Sequence, residues 1–130
     1  MKFLTKEAIK AAQVLVRVEK VELPEWDGYI YVREMSAKAR DAFESATFTF
    51  DDKGRLDKNL SNYRAKFVVL TACDETGKLV FAPEDAEWLG ERQASTVQKI
   101  FDAAQKLNNV PEVEELEKNS PGPAGDSSSD

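Results

Sequence analysis

Residues 21–36 read VELPEWDGYIYVREMS, and the punctuation of this stretch decides the fold. An apolar/polar alternation stops at Pro24, which has no N–H to give to a ladder. Asp27-Gly28 follows as a turn signal, because glycine tolerates positive φ and aspartate can hydrogen-bond its neighbouring backbone. YIYVRE then alternates again, with Ile30 and Val32 facing one way and Tyr29, Tyr31 and Arg33 the other. Upstream, VLVRVEKVEL is β-branched, with Val14, Val16 and Val18 on one face and Arg17 and Glu19 on the other. Val21 and Leu23 resume the apolar series after a slip in phase near Lys20, which predicts a bulge. These residues predict a β-hairpin over 14–34. With apolar or aromatic residues on both faces, it needs cover from its own helices or from another chain.

The segments around the hairpin read as short helices. Thr5 is a cap for KEAIKAAQ, with Ala8, Ile9 and Ala12 on one side. Ser36 is an N-cap for AKARDAFESA, whose stripe is Ala39, Ala42, Phe43 and Ala46 and whose Arg40 and Glu44 form an i,i+4 pair. TFTFDDKGRLDK breaks the helical period and reads as a loop. LSNYRAKFVVLTAC carries Leu60, Tyr63, Phe67 and Leu70 at helical spacing, with a C-terminal half β-branched enough for a strand. Pro83 opens PEDAEWLGER, which Gly90 stops. Ser95 and Gln98 fit a capping box before the stripe Val97, Ile100, Phe101, Ala104 and Leu107. Pro111 opens an acidic helix, PEVEELEK, and NSPGPAGDSSSD is too polar to order itself. The expectation is an α+β, mainly helical chain. Its hairpin packs with four to five short helices in one globular domain over 1–118, followed by a disordered tail over 119–130.

Composition removes whole classes of chemistry. The 130 residues include no histidine, which excludes imidazole bases, Ser-His and Cys-His dyads and histidine metal ligands. One cysteine, Cys73, excludes an intrachain disulfide and a cysteine-rich zinc site; in its apolar run it reads as a packed small hydrophobe rather than a nucleophile. Residues 1–20 carry charges every few positions, so they predict neither a secretion signal nor a membrane span. The expected location is the cytoplasm in which the chain is made. Net charge is −6, of which −5 falls in residues 111–130, and no basic face stands out to bind nucleic acid.

No cofactor or metal site is expected. The six glycines are isolated, so no phosphate loop is present. Asp51, Asp52 and Asp57 lack the alternating spacing of a calcium loop. Asp51/Asp52, Asp74/Glu75 and Glu84/Asp85 are adjacent in polar loops, where solvated charge is the expected state; catalysis would need two carboxylates across a cleft. Trp26 and Trp88 flank turns, where a tryptophan serves as core anchor or as exposed contact. Trp26, Tyr29, Tyr31 and Trp88 are the candidate partner-binding residues, being large and placed near turns or on the outer hairpin face.

In this order, LTKEAIKAA, then VELPEWDGYIYVREMSAKARDAFE, then YRAKFVVLTACDETGKLVFAPEDAEWLGERQASTVQKIFDAAQKLN, the chain resembles the tail assembly chaperones of long, non-contractile-tailed bacteriophages. The residues that carry the resemblance are Pro24-Glu25-Trp26, Val32-Arg33-Glu34, Arg40 with Phe43, Cys73 to Lys78, and Ala104 to Asn108. Asp27 stands where a second glycine is common in the family. The resemblance implies a non-enzymatic protein that binds the tape measure protein, keeps its apolar surface soluble, self-associates, and is absent from the finished virion. The major tail tube protein is expected to take its place. A structural tail or head-tail connector subunit retained in the particle is the alternative. The resemblance also implies a longer form made by a programmed ribosomal slip. Glu117-Lys118-Asn119 can be encoded GAA-AAA-AAY, a slippery run, and is the expected position. The same residues suit an ordinary helix end, and the coding DNA decides between the two.

Overall fold

The computed structural model of the chain describes residues 1–12 and 17–118. The expected extension of the hairpin to Val14 and Val16 lies outside the described residues, as do Asn119 and the tail. Among the described residues six α-helices accompany two small antiparallel sheets, giving the α+β, mainly helical architecture read from the sequence. In chain order they are α1 (Lys6–Ala12), β1 (Val18–Leu23), β2 (Gly28–Arg33), α2 (Ala37–Thr47), β3 (Phe48–Phe50), β4 (Leu56–Lys58), α3 (Tyr63–Thr71), β5 (Ala72–Cys73), α4 (Ala86–Leu89), α5 (Ala94–Asn108) and α6 (Val113–Lys118).

The hairpin forms as the alternation requires. β1 and β2 pair without interruption from Val18↔Arg33 to Leu23↔Gly28, so the bulge expected near Lys20 is absent. The slip in phase is real but has another cause. Val18 lies on the outer face, while Val21 and Leu23 are buried on the inner face opposite Ile30 and Gly28. Between the strands, Pro24–Trp26 form a single 3-10 turn, and Asp27 takes φ 54°, ψ 45° to reverse the chain. The left-handed residue is therefore Asp27, a residue type that tolerates that region. β5 joins the other edge of β2 through Tyr31↔Cys73 and Val32↔Ala72, so LSNYRAKFVVLTAC is helical through its β-branched residues Val68, Val69 and Thr71 and strand only at Ala72–Cys73.

The inner face of the sheet and helices α2, α3 and α5 enclose the core. Phe43, Tyr63, Phe67 and Phe101 form a contiguous aromatic cluster with centroid separations of 5.2 to 5.8 Å. α5 buries Val97, Ile100, Phe101 and Ala104, four positions of the stripe read from the sequence. Cys73 is buried, and burial pushes its thiol pKa up, which disfavours the thiolate. Two further expectations fail. TFTFDDKGRLDK is a hairpin, β3–β4, closed by Asp51, whose carboxylate accepts from Lys53 N and Arg55 N at 2.9 Å. Its strands are three residues each, too short for an alternation to declare itself. Ser95 and Gln98 form no capping box. α5 starts two residues earlier than a Ser95 cap would place it, at Ala94, with Gln93 as N-cap and no side-chain cap, and Gln98 bonds Asp102 instead. In α2, Phe43 and Thr47 are buried but Ala42 and Ala46 stay exposed.

Candidate partner-binding groove

Most residues that carry the family resemblance tie the backbone together. Arg33 crosses to the 74–78 turn and donates to Gly77 O at 2.6 Å. That turn is organised by Asp74, whose Oδ1 accepts from Thr76 N, Thr76 Oγ1 and Lys78 N; the Thr76 hydroxyl, first among these, holds the Asp74 pKa below its ordinary value. Asn108, buried at the end of α5, accepts from Met35 N at 2.7 Å and donates to Arg33 O and Ala104 O. Arg40 donates to Asn108 O at 2.6 Å and pairs with Glu44. Glu25 holds the 3-10 turn onto α5, accepting from Thr96 Oγ1 at 2.8 Å and from Lys99 Nζ at 3.1 Å. These contacts fix where the hairpin sits on α5.

What they position is an apolar groove of about 450 Å³ between the hairpin turn and the α4 region. Leu23, Ile30, Leu89 and Ile100 form its floor, and Trp26, Tyr29, Phe81 and Trp88 stand around it with Arg92. That volume falls within the usual range for ligand-binding clefts. Phe81 and Trp88 meet edge to face at 5.9 Å, and the Arg92 guanidinium lies 5.5 Å from the Trp88 ring. Lys20 Nζ sits 4.3 Å over the Tyr29 ring. Each indole N–H is already engaged: Trp26 Nε1 donates to Gln93 Oε1 at 3.2 Å, and Trp88 Nε1 to Asp85 Oδ1 at 2.9 Å. The Trp88 bond and then the one from Ala82 N keep the Asp85 pKa below the ordinary aspartate value. The indoles are thus held in orientation, each still partly exposed at the groove. Trp26 is 38 % exposed, Trp88 44 % and Tyr29 61 %.

Three of the four candidate residues, Trp26, Tyr29 and Trp88, meet at this groove. Tyr31 does not line it. It stands one step further along the outer hairpin face, edge to face with Tyr29 at 5.9 Å. The sequence reading missed Phe81 and Arg92, which sit in a short apolar run and a charged helix end that give no local sign of their meeting at Trp88. Glu117 lies exposed in α6, which ends at Lys118; α6 is held by Leu116, buried, and by Lys58 Nζ donating to Leu116 O.

No group of three or more acidic or cysteine side chains able to hold a metal ion occurs among the described residues. None of the helices described is long and apolar enough to cross a membrane.

Comparison with known proteins gives two findings. The family model for phage tail assembly chaperones matches residues 4–119. Among solved structures, the chain is similar to the bacteriophage HK97 tail assembly chaperone, with a TM-score of 0.53 and 19 % identity over 83 % of this chain and 100 % of that one. At that identity the likeness is one of fold. No curated protein sequence matches.

Proposed function

The chain belongs to the phage tail assembly chaperone family, and from that premise we propose that it binds the tape measure protein and keeps its apolar helices soluble while the tail tube is built. The observation that carries this reading is the aromatic groove at Trp26, Tyr29 and Trp88. A long helical client presents an apolar stripe at i, i+3, i+4 and i+7 spacing, and an apolar groove with fixed aromatic rims suits such a stripe. The chaperone works by binding, in the cytoplasm of the infected host, as a globular body formed by residues 1–118. The major tail tube protein displaces it, and it is absent from the finished virion. A longer product departs from the same body at Glu117-Lys118-Asn119.

Co-expression with the tape measure protein tests the reading. The wild-type chain should raise the soluble fraction of the client and co-purify with it. Trp88→Ala and Tyr29→Ala should each weaken the complex at least about tenfold, the usual effect of removing an interfacial aromatic anchor. Equal binding by both folded variants would reject the groove. Detection of the chain at stoichiometric level in purified virions would favour the structural-subunit alternative. A larger minor band in a blot of expressing cells, lost when codons 117–119 are synonymously recoded, tests the longer form.

A further inference from the structure

The aromatic groove carries a charge that its apolar floor does not explain. Among the described residues Arg92 is the one charged side chain that lines it, with the guanidinium 5.5 Å from the Trp88 ring. Arg92 forms no ion pair among the described residues, so its charge is open to a partner. Lys20 reaches the hairpin side of the rim by standing 4.3 Å over the Tyr29 ring, and it too lies outside those pairs. The carboxylates beside the two tryptophans are engaged within the body. Asp85 accepts from Trp88 Nε1 and Ala82 N, and Glu25 accepts from Thr96 Oγ1 and Lys99 Nζ. In a chain of net charge −6, the groove thus has cations on its rim and no acid in its lining.

Arg92 also lines a second cleft, of about 520 Å³, so the two meet at this side chain. The second cleft holds Arg64 and, among the described residues, no acidic lining residue. Arg64 has a buried Nε without a partner, and its one ion pair is to Glu114 at 3.3 Å, a carboxylate 70 % exposed. An exposed pair of that kind is weak enough for a bound carboxylate to enter. The acids that approach from α5 and α6, Asp102, Glu112 and Glu114, are bonded to Gln98 and Arg64. We propose that the groove selects acidic amphipathic helices, with Arg92 as the residue that reads the charge. The apolar stripe packs against Phe81 and Trp88, and an Asp or Glu about one turn further along lies over Arg92, at the entrance to the Arg64 cleft. This rests on the groove being the client-binding surface, and it says which client segments enter. A stripe flanked by carboxylates is held, and the same stripe flanked by lysines is turned away by like charge.

Three synthetic helical peptides test the selection. They share one apolar stripe free of tryptophan and differ only in the flanking residues, which are Glu, Gln or Lys. The full chain reports binding through its own emission, because both of its tryptophans, Trp26 and Trp88, stand at the groove. The Glu-flanked peptide should bind about fivefold tighter than the Lys-flanked one, the ratio expected when an exposed pair turns from attraction to repulsion. That ratio should shrink as salt rises from about 50 to about 500 mM, over which the screening length shortens severalfold. Arg92→Glu should invert the order of the peptides, and Arg92→Lys, which keeps the charge, should preserve it. Arg92 is exposed, so neither change enters the core, and circular dichroism checks the fold. The ratio between peptides is the readout, so a general loss of affinity in a variant does not imitate the effect. Equal binding of the Glu- and Lys-flanked peptides, or an order that Arg92→Glu leaves as it was, overturns the charge selection while binding of the Gln-flanked peptide upholds the groove. Failure of all three peptides to bind overturns both.

Discussion

Asn108 shows how much one side chain can hold. Its amide serves Met35 N, Arg33 O and Ala104 O, so the strand end, the loop before α2 and the last turn of α5 meet at one point. Asn108→Ala would leave the Met35 N–H without a partner in a buried site, at a cost of about 1–3 kcal/mol. Urea unfolding should show a lower midpoint with little change in slope. Tyr63 is a second case. It is buried, donates to Pro111 O at 2.9 Å, and its pKa is pushed up to about 12, first by burial and then by Glu112. The fold favours the neutral phenol, so its contribution is complete below the ordinary tyrosine pKa of 10.0 and is lost as pH rises towards 12. A melting series into alkali should lose stability over that window in the wild type, and Tyr63→Phe should remove that part of the slope. Local roles such as the Ser36 cap and the Arg40–Glu44 pair are legible in the sequence because their partners lie within four residues. The role of Asn108 is not, because two of its partners are 73 and 75 positions away.

Between elements, close approach replaces pattern. Asn62 caps α3 at φ 55° and donates from Nδ2 to Ala86 O at 2.7 Å, joining α3 to α4. A Cβ at Gly90 would come 2.2 Å from Asn62 Oδ1 and 2.8 Å from its Cγ. Gly90 therefore does more than stop α4: it leaves room for that clasp. Gly90→Ala should destabilise by about 1–3 kcal/mol, the usual cost of overpacking. Adding Asn62→Gly should recover part of the loss, since it removes the clash and suits the positive φ; additive destabilisation in thermal melts would sink this account. The 74–78 turn gives an acid counterpart. Asp74 has a lowered pKa, so its contribution is present above the ordinary aspartate value of 3.8 and is lost as pH falls through the lower folded one. Asp74→Asn should flatten that acid limb of a stability profile. The β1–β2 hairpin was readable because six-residue strands show their alternation on both sides of a marked turn. β3–β4 was not, because three residues a side cannot distinguish alternation from loop composition.

At the scale of the whole molecule, α+β class, most helix positions and the α5 core stripe follow from sequence periodicity, whereas the groove does not. It exists because Glu25, Arg33 and Asn108 fix the hairpin against α5 and so bring Tyr29 opposite Trp88. Large side chains near turns marked three of its residues; Phe81 and Arg92 enter only through the packing of distant segments. These two sets of residues barely overlap, and that division has an evolutionary consequence. The bonds that hold the body end mostly on backbone atoms, whereas Tyr29 and Trp88 on the groove rim are exposed side chains outside the core, against which Phe81 does pack. Positions 29 and 88 are then free to drift, and under the proposed function a phage whose tail length protein changes can follow it by altering the rim alone. A library randomised at these two positions should stay largely folded and yield variants retargeted to foreign helices.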